Sequence, residues 1–155
     1  MDVTITTTPE LVLVGHAARV PLIHEGANPH IQAHIASIAP EEHLRLKAMS
    51  DAEPGGILAV TGDVAPDAPE GTELTYLHGV SVSASTVVPD DLDAIRVEAG
   101  AWAVFSASGP FPETLQTLWA ATATEWFPSN PWRLRPGPSI VRYLEFTGSH
   151  ASCEL

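Results

Sequence analysis

One carboxylate lies within the last apolar run of the chain, GPSIVRYLEF at 137–146, and its setting decides what it can do. The alternation of an extended strand places Tyr143 and Glu145 on one face. A glutamate at the end of a strand usually emerges into water. If it were buried beside aromatic side chains, Glu145 would have a raised pKa and could serve as a general base. The sequence leaves both settings open.

A second run, ELTYLHGVSV at 73–82, alternates with the period of a half-buried strand. This period places Tyr76 and His78 on the same face. The Tyr76 hydroxyl could meet a polar group of a ligand. His78 could exchange protons near neutral pH, although a histidine without a visible partner is more often satisfied within a core.

Two further histidines, His30 and His34, lie one helical turn apart, with His24 and Glu25 shortly before them. Imidazoles at this spacing can share a metal ion. The intervening glutamate of a zinc protease is missing, so the motif is weak. We predict no metal site and no cofactor.

The four tryptophans all lie in the second half of the chain. Trp102 stands on a strand between two alanines, either as a flat wall for an aromatic or cationic ligand or as a core residue. Trp119 lies on the apolar stripe of a helix, where core packing is the usual reason for an aromatic residue. Trp126 is read as core, and Trp132 as rim or packing.

Composition and charge narrow the class of protein. The chain has 155 residues, 45% of them hydrophobic, which suits one globular domain. Its formal net charge of −12 disfavours nucleic acid as a partner and favours cationic or neutral small molecules. Cys153 is the only cysteine and is interpreted as an incidental thiol. The chain shows neither a signal peptide nor an apolar run of about 20 residues, so we expect a cytoplasmic protein without membrane contact.

The elements follow from periodicity and turn residues. Strands are predicted at 11–17, 55–64, 73–82, 100–108, 132–135 and 139–146. A helix is predicted from His30, with a kink at Pro40, and a second helix from near Pro112 to Pro128. Strand–helix–strand–strand therefore occurs twice, offset by roughly 85–90 residues. We predict a single domain over 1–155 with halves at approximately 1–83 and 90–155, and a ligand groove where the halves meet.

These residues carry a resemblance to a known family. The segment at 97–146 contains AGAWAVF, a GP turn, a helix with Trp119, EWFP, and a second GP before RY. YLHGVSV at 76–82 and LVLVGH at 11–16 fit two earlier strands. Together they resemble the GyrI-like small-molecule-binding domain, the effector-binding domain of AraC- and MerR-type regulators, which also occurs as stand-alone proteins.

The resemblance implies an α+β fold of two βαββ units with a ligand cleft between them. It implies recognition of bulky aromatic compounds, many of them cationic. Some stand-alone members are hydrolases that open cyclopropane rings in DNA-alkylating natural products, and the namesake modulates DNA gyrase. Because residue 11 already begins the domain, we expect a free-standing member and not a transcription factor.

The sequence departs from the family pattern in two places. Relatives commonly carry a glutamate two residues before the tyrosine of the final motif, and it meets the cationic ligand; here that position is Val141, ahead of Tyr143. The resemblance thus predicts a cleft floor that is more apolar than in cation binders. Relatives also end in a further apolar strand, whereas this chain stops at SHASCEL, so we expect that strand to be truncated or absent.

We predict a stand-alone protein that binds hydrophobic, aromatic and in part cationic compounds, for drug or xenobiotic binding or sequestration. One alternative is a hydrolase of the same fold acting on cyclopropane-bearing alkylating natural products, in which Glu145 or Glu125 activates water. Another is an interaction protein that modulates gyrase. The predicted ligand-binding residues are Trp102, Tyr76, His78, Trp119, Val141, Tyr143 and Glu145.

Overall fold

The computed structural model describes residues 1–155 as an eight-stranded antiparallel sheet with helices packed on one face. The strands are β1 (Asp2–Thr8), β2 (Leu11–Pro21), β3 (Leu58–Gly62), β4 (Glu73–Ser83), β5 (Asp93–Val97), β6 (Gly100–Pro110), β7 (Ser139–Phe146) and β8 (His150–Glu154). The helices are α1 (Pro29–Ala36), α2 (Pro40–Met49), α3 (Glu113–Ala121) and the short α4 (Phe127–Ser129), with a π-helical turn at Thr122–Trp126 before α4. The predicted α+β class is confirmed.

The strand order is β1-β6-β8-β7-β3-β4-β2-β5. Strands β2, β3 and β4 of the first half lie together, as do β6, β7 and β8 of the second, and the β3–β7 pair joins the two groups. The edge strands are exchanged, because β1 pairs with β6 and β5 pairs with β2. This order fits two βαββ units, and the exact boundaries of the halves stay a prediction.

One face of the sheet, here called the helical face, buries three apolar clusters. Under α1 lie Val20, Leu74 and Tyr76. Under α2 lie Val12, Val14, Val80 and Val82, with Leu46 from the helix. Under α3 lie Phe105, Val141 and Cys153, with Leu118 from the helix.

The opposite face holds a fourth cluster. Its buried members are Leu11, Leu13, Leu58, Val60, Leu77 and Val97, and Trp102 packs against them. Trp102 belongs to β6, and two strands, β8 and β7, separate β6 from β3, the nearest strand with a buried member of this cluster. Contact between such distant strands requires the sheet to curl, with this face on the inside.

The first predicted helix is two helices in the structure. The side-chain oxygen of Asn28 accepts hydrogen bonds from the backbone N–H groups of His30 and Ile31 and so begins α1. Pro40 opens α2 instead of kinking a continuous helix, because the first turn leaves a backbone N–H unpaired in any case.

The second helix changes geometry along its length. It begins at Glu113 and widens into the π-helical turn after Ala121. The Thr122 hydroxyl donates to the backbone oxygen of Trp119 at 2.7 Å, within the last turn before this change. Pro128 does not end the helix as predicted but lies within α4. π-Helical turns inside helices are frequent at functional sites.

Several strand predictions need correction. The segment 132–135 is irregular and forms no strand, while β1 and β5 are not predicted from the sequence at all. β8 is present despite the short C-terminus and pairs with both β6 and β7. Cys153 on this strand is 1% exposed, so it is a core residue and not an incidental thiol. None of the helices has the length and apolar character that crossing a membrane requires.

Candidate functional site

The middle of the helical face lies where β3 pairs with β7. Ala59 and Val141 are partners in this pair, and Val141 is 5% exposed. Ala59 packs against both the α1 cluster and the α3 cluster, so the two halves meet at a small side chain. Tyr76 and Tyr143 belong to these same two clusters. We call Ala59, Tyr76, Val141 and Tyr143 the central floor; it carries no charged group.

The two tyrosines have hydroxyl groups without a protein partner. Tyr76 is 3% exposed and Tyr143 is half-buried. The one fully sealed side-chain polar atom that lacks a hydrogen bond is Nη2 of Arg135, so both unpaired tyrosine hydroxyls must keep some contact with solvent. A buried aromatic ring with an open polar end is suited to a ligand that is mostly apolar.

Burial moves the pKa values of these hydroxyls further above physiological pH. Burial first, and then the proximity of Cys153, raise the pKa of Tyr143 to about 12. Burial raises the pKa of Tyr76 as well, and the proximity of Tyr143 adds to it. Both groups are therefore neutral hydrogen-bond donors at physiological pH.

His78 shares the helical face with Tyr76 but is turned toward α2. Its Nε2 atom lies 3.0 Å from Nδ1 of His43, and the two rings meet edge-to-face. On the adjacent strand its register partner His16 places Nε2 2.9 Å from a carboxylate oxygen of Glu42. Burial lowers the pKa of His78 to about 4, with further contributions from His43, His34 and His16. His78 is therefore a neutral, partnered histidine beside the floor.

His30 and His34, whose spacing is that of a weak metal-binding motif, do not act together. His34 directs Nε2 to the backbone oxygen of His16 at 2.8 Å and packs its ring edge against Tyr76, while His30 is exposed. No group of three or more His, Cys, Asp or Glu residues is arranged to hold a metal ion. Spacing along the sequence gave no signal for the contacts of His16, His43 and Glu42.

The tryptophans separate into two locations. Trp119 and Trp126 pack in the α3 cluster together with Val141 and Tyr143. The rings of Trp126 and Phe105 pack edge-to-face, with their centres 5.1 Å apart. Trp102 instead lies on the opposite face, where its Nε1 donates to the Thr8 hydroxyl at 2.9 Å. The structure therefore does not bring Trp102 to the central floor.

The ring of Trp102 is in contact with the guanidinium group of Arg135. The guanidinium carbon of Arg135 lies 5.1 Å from the centre of the Trp102 ring, and its Nη1 donates to the backbone oxygen of Glu98 at 3.0 Å. The ring is thus already occupied by a cation of the same chain. This arrangement favours a packing role for Trp102 over the ligand-binding role predicted for it.

The prediction that Glu145 shares a face with Tyr143 is wrong. Tyr143 pairs with Cys153, but Glu145 pairs with Ser152, so a β-bulge at Leu144 breaks the alternation. Glu145 therefore points to the face opposite the floor, and it is exposed. Glu125, in the π-helical turn, is exposed too. Neither carboxylate proposed for the hydrolase alternative meets the floor, so that alternative stays a prediction without structural support.

Two aromatic residues that the sequence did not single out extend the floor. After the bulge, Phe146 takes the helical face as partner of Ala151. Ring centres lie 5.9 Å apart for Phe111 and Tyr143, 4.9 Å for Phe111 and Phe146, and 5.4 Å for Tyr143 and Phe146. We call these three residues the aromatic trio.

Two open depressions of the surface lie away from the central floor. One of about 310 Å³ is lined by Met1, Ala107, Glu113, Thr114, Thr117, Leu118 and Ala121. Another of about 230 Å³ is lined by Asp2, Ser106, Ala107, Ser108, Leu144, Ser152 and Cys153. Neither includes a predicted ligand-binding residue, and the burial of Tyr76 and Val141 shows that the space above the floor is closed in this conformation.

Solved structures of other proteins share this fold. SAV2435 bound to tetraphenylphosphonium superposes with a TM-score of 0.64 at 17% identity, covering 99% of this chain and 93% of the other. A Staphylococcus aureus MU50 protein solved as a candidate bacterial transcription regulator gives a TM-score of 0.62 at 18% identity, covering 99% and 97%.

The family follows from the sequence itself. The profile of the GyrI-like small molecule binding domain matches residues 1–154, and the chain therefore belongs to the GyrI-like family. The resemblance found in the sequence is confirmed. None of the curated proteins matches the chain.

Proposed function

We propose that the protein binds hydrophobic aromatic compounds, cations among them, above the central floor between α1 and α3. The observation that carries this proposal is the pair of tyrosines at the floor. Tyr76 is buried and Tyr143 half-buried, and neither hydroxyl has a protein partner or is fully sealed from solvent. Between them, Val141 and Ala59 offer an apolar surface on which an aromatic ligand can lie.

The comparisons support a ligand of this class. The family profile is that of a small-molecule-binding domain, and the similar protein SAV2435 was solved with tetraphenylphosphonium, a bulky aromatic cation. The net charge of −12 raises the local concentration of cations around the protein. Sequestration of such compounds is the role we infer.

Entry of a ligand requires the two halves of the helical face to separate, because Tyr76 and Val141 are covered. One contact that bridges them is formed by Gln116 of α3 and the loop before α1. The Gln116 side chain donates to the backbone oxygen of Gly26 at 2.8 Å and accepts from its N–H at 3.3 Å. Both bonds are exposed and can exchange with water at small cost, so this contact does not prevent opening.

Titration of tryptophan fluorescence tests the proposal. A rhodamine-type cation and a neutral polyaromatic compound are each expected to quench the emission saturably, because Trp119 and Trp126 pack beside the floor. Trp102→Phe is the matched variant, since it removes a tryptophan from the opposite face and should leave the titration midpoint unchanged. Absence of saturable quenching by either compound would refute the proposal. If Trp102→Phe shifted the titration midpoint, the binding site would lie on the opposite face and not at the central floor.

A further inference from the structure

The bulge at Leu144 places an aromatic side chain, Phe146, instead of the carboxylate of Glu145 at the end of the central floor. Without it, strand alternation would bring Glu145 to the helical face; with it, Phe146 lies there and Glu145 lies behind the sheet. Val141 has already replaced the acid expected on this strand. The ligand side of β7 therefore presents Val141, Tyr143 and Phe146 and no carboxylate.

Phe146 is unusual for a phenylalanine because 54% of its surface is exposed. Its ring is nevertheless held in place, since it meets Phe111 at 90° and Tyr143 at 54°. The edge-to-face contact with Phe111 and the tilted contact with Tyr143 support the ring and leave part of it free. A fixed, exposed ring beside a closed apolar floor is more informative than a solitary exposed apolar side chain, which needs no explanation.

The free surface of an aromatic ring attracts cations, because the faces of the ring carry partial negative charge. The central floor is uncharged and His78 is committed to His43, so an attraction for cations must come from aromatic rings. The ring of Tyr76 is buried and those of Tyr143 and Phe111 are half-buried, so Phe146 offers the most exposed aromatic surface of this group. We propose that Phe146, supported by Phe111 and Tyr143, is the specificity-determining residue of the site and selects cationic over neutral aromatic ligands through a cation–π contact. This inference rests on the proposed function and names the element that sets its charge preference.

The experiment compares N-methylacridinium with acridine at pH 8, where acridine is neutral, so that the two probes share a shape and differ in charge. Dissociation constants are measured for the wild type, Phe146→Leu and Phe146→Trp. We expect Phe146→Leu to reduce the affinity for N-methylacridinium by about two- to fivefold more than the affinity for acridine, which is the size of an exposed cation–π contact. Phe146→Trp should increase the preference for the cation, because the indole ring is the best cation–π partner.

Leu144→Ala is the matched control. Leu144 is also about half exposed, at 53%, but it lines the depression on the other side of the strand, so its loss should leave both constants unchanged. If Phe146→Leu reduced the affinity for both probes equally, Phe146 would contribute only apolar contact area, and the inference would be overturned. Unchanged binding of both probes by the two Phe146 variants would also overturn it while leaving the proposed function intact. Failure of the wild type to bind either probe would overturn the proposed function itself.

Discussion

Val141→Glu is expected to destabilise the free protein by about 2–4 kcal/mol and to increase its affinity for tetraphenylphosphonium by about ten- to a hundredfold. Val141 is 5% exposed, so the new carboxylate would be desolvated without a positive partner in the free protein. A bound cation supplies that partner. The variant should consequently regain its lost stability when the ligand is saturating, because a ligand that binds only the folded state stabilises it.

Val141→Gln separates charge from size in this experiment. The amide has nearly the shape of the carboxylate, so it should cost less stability and leave the preference for the cation unchanged. Isothermal titration gives the affinities, and urea unfolding with and without ligand gives the stabilities. If the glutamate variant bound tetraphenylphosphonium no more tightly than the glutamine variant, position 141 would not face the ligand.

Acid is expected to destabilise the protein through His78. The pKa of this imidazole is about 4 in the folded protein, below its ordinary value of 6.5, because burial disfavours the charged form. Between these two pH values the unfolded chain binds more protons than the folded one, so stability falls as pH falls. The effect is absent above pH 6.5 and complete below pH 4. Its full size is about 3 kcal/mol.

His78→Gln isolates this contribution, because the amide nitrogen can still donate toward His43 but does not titrate in this range. The difference in unfolding free energy between the wild type and the variant should shrink or reverse by about 3 kcal/mol between pH 7 and pH 4. His30→Gln serves as the control, because His30 is exposed. Parallel pH profiles for the wild type and His78→Gln would show that the depressed pKa is not what links stability to acid here.

Much of this architecture could be read from the sequence because it depends on local periodicity. The period of two at 73–82 correctly placed Tyr76 and His78 on one face of β4. The strand–helix–strand–strand order and the family motifs likewise gave the α+β fold. These features depend on neighbours along the chain and need no knowledge of which strands pair.

The features that the sequence did not predict depend on contacts between elements far apart in the chain, which periodicity does not report. Alternation shows which residues share a face but not which face receives the helices, and Trp102 therefore could not be assigned to the opposite side. The position of Glu145 depends on the pairing of β7 with β8, where the bulge leaves Leu144 without a partner. The partner of His78 is His43 of α2, 35 residues away in sequence, so a histidine that looked solitary has a side-chain partner that spacing along the chain could not show.

The central claim is that a ligand lies above the floor between Tyr76 and Tyr143, and fluorine NMR tests it most directly. The chain contains only two tyrosines, so 3-fluorotyrosine labelling reports on this floor and nowhere else. We predict that both resonances shift saturably on addition of N-methylacridinium, with the same midpoint as the quenching of tryptophan fluorescence. Saturable quenching with both fluorine resonances unmoved would show that the ligand binds elsewhere and would contradict the account.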